Sequence, residues 1–520
     1  MPQTRHDGPT RHDAPTRLKR DALGVLGILF LVLSAQAPLT GIAGAVPLSV
    51  ALGNGPAVPA AYVAAGVVVL LFSVGFVAMG RHVVDAGAFY TYIGRGLGRT
   101  AGTASAGVAL FAYCTIQAAM YGLYGATVSG LLAEHTALDP PWWACALVTM
   151  ALVEALGATG IDLGAKVLAV FVLAETGILL AFALVTLVDG GGPGGLDFGG
   201  SFSPGAALDG APGVALMFAV ASMFGFEATA IYGEEARTPH RTVPRATYLS
   251  ISLVTVFFAV TSWTLISAQG GAAAPEAAGR ALEGGDSAAF VFDPVADRLG
   301  SWAGVLLPLL LATSLFAGVL AFHNSANRYL FSLGRERLLP HVLCRLNRRR
   351  APWAAGVAQT AVAVLLVVPF ALAGKDPVLT LFSWFSGVAV LAMMLLYFLT
   401  SVSVVAFFRH ARDSRGERFD TRPWHTLVAP ALGALGLAGA IWLILANLTT
   451  LIGGDRTTAT WLALAVPVVF AAGAGTARLI PRRPQDPPAP GAESPAPGPE
   501  SRDPEPQVPP DPRDPRPPTP

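Results

Sequence analysis

Apolar stretches long enough to cross a bilayer recur along nearly the whole of this 520-residue chain. That recurrence limits what the chain is able to fold into. A helix rises ~1.5 Å per residue and needs about 20 apolar residues to span the hydrocarbon core. In lipid, each backbone polar group has to be satisfied internally, so continuous segments of this length read as helices. Twelve are expected, near residues 22–50, 57–80, 98–131, 142–159, 163–188, 212–233, 246–268, 301–327, 353–373, 377–408, 427–449 and 457–478. The chain is therefore expected to be an all-α integral membrane protein. Composition agrees: 53% of residues are hydrophobic and only 13% charged, about half the charged share of a soluble domain. The 57 glycines follow no three-residue period and no heptad repeat is visible, which excludes collagen and coiled coil. A net charge of +1 gives no reason to expect a nucleic-acid partner. Cys114, Cys145 and Cys344 form no CxxC pair or Cys/His cluster, so no disulfide framework, metal site or cofactor is expected.

Both ends differ from this apolar region. Residues 1–20 hold a short duplication, TRHDGPT from Thr4 and TRHDAPT from Thr10, followed by Arg17, Lys19 and Arg20. They read as a disordered cytoplasmic tail rather than a signal peptide. Residues 481–520 hold 17 of the 41 prolines and read as a second disordered tail. The membrane domain is expected over 21–480. Charge sets its direction, because cytoplasmic loops carry the excess of Lys and Arg. With the N-terminus inside, the outer loops hold only Arg280, Arg298, Lys375 and Arg456, and the other 30 of 34 Lys and Arg fall inside. An even number of spans puts both termini in the cytoplasm, in a multi-pass plasma-membrane protein. The outer loop at about 269–300 is expected to hold at most a short surface helix, with too few large apolar residues for a core.

Two spans carry interruptions. The first reads Ser34-Ala-Gln-Ala-Pro38-Leu-Thr40-Gly41-Ile42-Ala-Gly44-Ala-Val-Pro47, and the sixth reads Phe218-Ala-Val-Ala221-Ser-Met-Phe224-Gly225-Phe-Glu227. Interrupted helices at matching positions five spans apart are the pattern of a 5+5 inverted repeat. The repeats are expected at about 22–188 and 212–408, with two additional helices at about 427–478. A half-helix N-terminus offers N–H groups to an anion, and a freed carbonyl accepts from an ammonium. Together they suit a zwitterion. Substrate-binding positions are therefore expected at Thr40, Gly41, Ile42, Gly44, Ala221, Phe224, Gly225 and Phe322, with Phe218, Phe224 and Phe322 the candidates for an aromatic lid.

The sequence resembles the amino acid–polyamine–organocation superfamily of transporters. Phe224-Gly-Phe-Glu-Ala228, followed by Glu234-Glu235 and Thr238-Pro239-His240-Arg241-Thr242-Val243-Pro244-Arg245-Ala246, is similar to the family's GFE and EExxNPxRxxPxA run, with Thr238 where the family usually has asparagine. Ala86-Gly-Ala-Phe89-Tyr90-Thr-Tyr92 is similar to its AGGxYxY block, and Asn327-Arg328-Tyr329-Leu-Phe-Ser-Leu-Gly-Arg335 to the end of its eighth span. The resemblance covers roughly 22–450. It implies a secondary transporter of an amino acid or related amine, working by alternating access and driven by protons or by exchange, with sodium a further candidate.

Acids inside membrane spans are costly and are functional candidates by default. Three are expected there: Glu154, Glu175 and Glu227. Glu227 would orient the interrupted segment or take up a proton, or else be a structural carboxylate satisfied by freed N–H groups. Glu175 falls where, by the resemblance, several proton- or exchange-type members have a lysine, which makes it the candidate for coupling, by carrying the proton or binding a cation directly, with a hydrogen-bonded structural acid as the alternative. Glu154 reads as structural and His323 as an interfacial polar group. Arg328 is expected to pair with Asp85, Glu234 or Glu235. No catalytic motif stands in a plausible setting, so no enzyme activity is expected. Two alternatives stand beside transport: a transporter-like sensor, and a membrane enzyme acting on lipid-linked substrates, for which the chain lacks a cluster of acids or histidines.

Overall fold

The computed structural model describes residues 24–83, 89–159, 164–231, 236–410, 422–452 and 455–479. Both expected tails lie outside the described residues, as do Asp85, Ala86, Gly87, Ala88, Glu234 and Glu235. The apolar stretches form α1 (Val25–Leu52), α2 (Val58–Gly80), α3 (Arg99–His135), α4 (Trp142–Thr159), α5 (Gly164–Val188) and α6 (Pro212–Ala221). The second half continues with α7 (Pro239–Ala268), α8 (Ser301–Arg335), α9 (Trp353–Leu372), α10 (Pro377–His410), α11 (Trp424–Leu451) and α12 (Arg456–Leu479). Eleven of these stretches are long and apolar enough to cross a membrane, and α6 is the shorter one. Among the described residues there is no strand, only an isolated bridge between Gly192 and Gly195.

The ends follow from local chemistry. Proline stands in the first turn of α2, α6 and α7, where its missing N–H has no helical partner to lose. Asp376 caps α10 by accepting from the N–H groups of Val378 and Leu379, at 2.8 and 2.6 Å. Gly98 and Gly300 precede α3 and α8 with φ of 92° and 103°, a region that favours glycine.

α3 is the central post. It packs against α4, α8, α9, α10 and α12, and most of its apolar window is buried. With 37 residues it is about 55 Å long, well beyond the ~30 Å hydrocarbon core. α1 lies against α5, α7 and α8, while α2 packs on α7 and α11. α12 is at the margin, with little of its apolar window buried. Leu365, Leu435, Trp442 and Trp461 are exposed on the outer helices, as lipid-facing side chains are in a bundle without a separate water-facing core.

The segment between α7 and α8 departs from the sequence expectation. It holds two helices, Ala274–Glu283 and Ala289–Leu299. Phe290, Val291 and Val295 are buried, because the second helix docks on α8 and on the Gly41–Ala45 turn of α1, while the first docks on the end of α1. The segment is too poor in large apolar residues to fold alone, yet it has enough to cover an existing surface. Arg298 fastens it to α5, donating to Thr186 Oγ1 at 3.1 Å and to the Gly191 carbonyl at 2.8 Å.

Candidate functional site

α1 is helical from Val25 to Gln36, then turns at Ala37, whose φ of 42° and ψ of 71° are left-handed. Pro38 follows and disfavours the right-handed helical region for the residue before it. Helix resumes at Pro38, widens into a π-turn over Gly41–Ala45, and continues as Val46–Leu52. The first carbonyl taken up is that of Ala37, by the Gly41 N–H at 3.0 Å. The N–H groups of Leu39 and Thr40 therefore open the half-helix with no carbonyl four residues back inside it. A Cβ on Gly41 would run into the Phe258 ring of α7 and come 3.1 Å from Ser222 Oγ, and one on Gly44 would meet Leu123 of α3 at 2.7 Å. Ile42 is fully buried.

α6 ends at Ala221, a turn runs from Ser222 to Glu227, and helix returns over Ala228–Ile231. Gly225 has φ of 112°, open to glycine and strained for any other residue. The Ala221 carbonyl accepts from the Phe224 N–H at 3.2 Å. Glu227 folds back into its own turn: Oε2 accepts from the Gly225 N–H at 3.0 Å and from the Tyr397 hydroxyl of α10 at 3.1 Å, and Oε1 from the Tyr113 hydroxyl of α3 at 3.4 Å. The two interruptions touch. Gln36 Nε2 donates to the Met223 carbonyl at 3.1 Å, while Gln36 Oε1 is buried without a partner. Ser222 reaches Tyr62 of α2, 3.3 Å between hydroxyls, and Tyr62 stacks on Phe258 with ring centroids 4.9 Å apart.

Glu175 of α5 is buried beside this junction. Its carboxylate faces the Leu39 backbone and the Ser314 hydroxyl of α8 but forms no hydrogen bond. Ser314 is in turn 3.4 Å from Thr40 Oγ1. An acid of the chain itself thus stands at the open end of the second α1 half-helix, where the helix dipole favours negative charge.

The structure brings Thr40, Gly41, Ala221, Phe224, Gly225, Glu175 and Glu227 into one junction. Gly44 lies further along, facing α3, and Phe322 packs against Tyr113 with centroids 6.4 Å apart. Sequence reasoning missed Gln36, Tyr62, Tyr113, Phe258, Ser314 and Tyr397. Phe382, at the end of the π-turn that opens α10, stacks near Phe218 with centroids 6.4 Å apart, and it too was missed. Gln36 alone carried a signal, as an amide within an apolar run beside a proline. His323 departs from its expected interfacial place. It is fully buried with Nε2 3.2 Å from Glu154 Oε2, because α8 passes between α3, α4 and α9 rather than emerging there. Arg328 is buried and donates to the Asn324 carbonyl at 3.2 Å, while the acids expected to pair with it lie outside the described residues. Among the described residues no group of three or more His, Cys, Asp or Glu could hold a metal ion.

Comparison with known proteins gives a consistent picture. The family model described as amino acid permease matches residues 31–472. The histidine permease of Saccharomyces cerevisiae is 27% identical over 297 residues, covering 54% of this chain and 46% of the relative. The branched-chain amino acid permease BcaP of Lactococcus lactis is 28% identical over 235 residues, covering 44% of each. The chain thus spans about half the length of the curated relatives it matches. Among solved structures, a histidine-to-alanine mutant of the Eremococcus coleocola manganese transporter superposes with a TM-score of 0.54, covering 88% of this chain and 93% of that one. At 15% identity that likeness speaks for the fold alone.

Proposed function

The chain belongs to the amino acid permease family, and from that premise we propose that it is a secondary transporter moving an amino acid or related amine across the plasma membrane by alternating access. The observation that carries this reading is the junction itself. Two helices are interrupted side by side, joined by the Gln36–Met223 bond, with a buried carboxylate beside each. Non-helical backbone is tolerated at membrane depth only where protein or a water-filled cavity replaces lipid. The N–H of Thr40 suits the substrate carboxylate, the Leu39 backbone being faced by Glu175, and the carbonyls near Ala221 and Phe224 suit its amine. Gly41 and Gly44 let α1 pack closely on Phe258 and Leu123, with Ile42 buried beside them, Gly225 permits the α6 turn, and Phe322 is placed to close from α8 beside Tyr113. The relatives named for histidine and for branched-chain amino acids support an amino acid as the cargo.

The finer architecture belongs to the same proposal. α1–α5 and α6–α10 are the two inverted repeats, α11 and α12 are additions, and α6 completes the twelfth crossing together with the short helix after Glu227. Both termini are cytoplasmic, in line with the 30-to-4 division of Lys and Arg. Glu175 is the coupling group. A carboxylate held at a helix N-terminus without a hydrogen-bonded partner is suited to exchange a proton as α1 and α8 move apart, and sodium is the other ion that could lie there.

Uptake into proteoliposomes of a panel of labelled amino acids and amines, under imposed pH or sodium gradients, tests the reading. Accumulation of at least one amino acid above the level in empty liposomes is expected. Binding without flux for every member would instead favour a transporter-like sensor.

A further inference from the structure

α4, α8 and α9 bury a second group of polar side chains away from the interrupted helices. The His323 side chain of α8 is 1% exposed, and its Nε2 lies 3.2 Å from Glu154 Oε2 of α4. The Thr360 hydroxyl of α9 donates to the same oxygen at 3.2 Å. Two glycines make room for the pair. A Cβ on Gly157 would stand 3.0 Å from His323 Nε2, and one on Gly356 would stand 2.6 Å from Glu154 Oε2. Glu154 keeps 20% of its side chain exposed, so it is the open end of the pair and the imidazole the closed end. Neither His323 Nδ1 nor Nε2 has a hydrogen-bonded partner, so the imidazole and the carboxylate are close without being bonded.

The other titratable groups on the packed elements have their own places. α3 presents Tyr113, which donates to Glu227 and packs on Tyr329 of α8, and Tyr124, which faces Cys145 of α4. It also presents Cys114 and Tyr121, both held in an amide network: Cys114 donates to Gln359 Oε1 at 3.3 Å, Gln359 donates to Gln117, and Gln117 donates to the Tyr121 hydroxyl at 3.4 Å. On α8 itself, Arg328 bonds to the Asn324 carbonyl. The segment leading into α9 brings His341 and Cys344, the latter on the Phe331 carbonyl, and Arg349, which donates to the Thr159 carbonyl at 3.3 Å. α5 presents Glu175 opposite Ser314, and the helix Ala289–Leu299 presents Asp293, Asp297 and Arg298 at the far end of α8. α1 presents no titratable side chain over its described residues. None of these takes the place of Glu154 beside the imidazole.

We propose that Glu154 and His323 form a proton-binding site separate from Glu175, whose occupancy biases the packing of α8 and through it the transport cycle. This rests on the transport reading only for its second half. A carboxylate and an imidazole at this distance attract one another when both are charged and lose that attraction when either is neutral, and imidazole is the side chain that changes charge near neutral pH. The effect has a route to the junction. Phe322, next to His323, packs on Tyr113, and Tyr113 donates to Glu227. A shift of α8 that lets His323 move from Glu154 presses on the ring that holds the α6 turn.

Solid-state NMR of the full chain in lipid, with 15N-labelled histidine, reads the site without requiring transport. The difference between parent and His323→Gln isolates the His323 ring signals. As the pH is raised, these signals should pass from the protonated to the neutral form, and Glu154→Gln should move that transition. Gly157→Ala keeps both groups and crowds them apart, and it should move the transition as well. Across the transition, amino acid counterflow at equal pH on both sides should change several-fold in the parent and stay flat in Glu154→Gln and His323→Gln. A ring that keeps one form throughout, or a transition unmoved by both Glu154→Gln and Gly157→Ala, overturns the site. Parent-like pH profiles in both polar variants overturn its link to transport. Titration of His323 in a parent that exchanges nothing supports the site and counts against the transport reading.

Discussion

Glu227 and Glu175 are both buried acids in an apolar bundle, yet their surroundings separate them. Glu227 accepts from Gly225, Tyr397 and Tyr113, whereas Glu175 has no hydrogen-bonded partner. The first is built to stay in place. Tyr397→Phe removes one donor and should cost about 0.6–1.7 kcal/mol, the span measured for hydrogen bonds within membranes, read as a lower unfolding temperature in detergent with transport retained. Glu175→Gln should leave the fold and substrate exchange measurable but abolish accumulation driven by a pH gradient, and accumulation equal to the parent's would rule out the coupling role. The two acids were legible in the sequence because charge is rare within apolar runs. Their partners were not. A tyrosine or serine in a membrane helix looks like any other packing residue until the neighbouring helix is known, which is why Tyr113, Tyr397 and Ser314 were invisible and why His323 was assigned to an interface it does not occupy.

The interruption of α1 was readable as an element from Pro38, Gly41, Gly44 and Pro47, but its turning point was not. The chain turns at Ala37, one residue ahead of the first of these signals, because proline acts on its predecessor. Gly41 was expected among the substrate-binding positions, whereas the position its Cβ would occupy is already filled by Phe258. Gly41→Val should therefore abolish substrate binding and also lower the unfolding temperature by pushing α7 from α1, whereas Gly44→Ala should displace only the Leu123 side chain and leave more activity. Parent-like affinity in Gly41→Val would contradict this. The helix Ala289–Leu299 has a pH dependence of its own. Burial, then Asp286 and Asp297, push the Asp293 carboxyl above the usual range. Because its folded-state pKa is raised, the docked helix binds the proton more readily than the undocked one, and docking weakens as pH rises through that value. Protection of the 289–299 amides, after division by the intrinsic exchange rate at each pH, should be greater at mildly acidic than at neutral pH, and Asp293→Asn should remove that difference in protection.

Across the whole molecule, the charge division sets the expected orientation. After the three native cysteines are replaced, an impermeant thiol reagent added outside should modify a cysteine at Glu283 and spare one at Arg349, and the reverse pattern would invert the topology. Residues 484–520 have nothing in their composition to bury, so a chain ending at Arg483 should transport at the parent's rate. The lateral packing adds a consequence in time. Gln36 and the Met223 carbonyl it holds are 187 residues apart, and at a synthesis rate of about 5–20 residues per second that separation is roughly 10–40 s. Throughout that interval the nascent chain carries an open helix end and an amide awaiting neighbours that do not yet exist, and the Glu175 carboxyl, once made, awaits Ser314 of α8. A chain arrested after α5 should therefore stay crosslinkable to the insertion machinery and be degraded, while one extended past α8 should be released. The junction proposed to pass a zwitterion in the finished protein would thus make its first half a client of quality control during biogenesis.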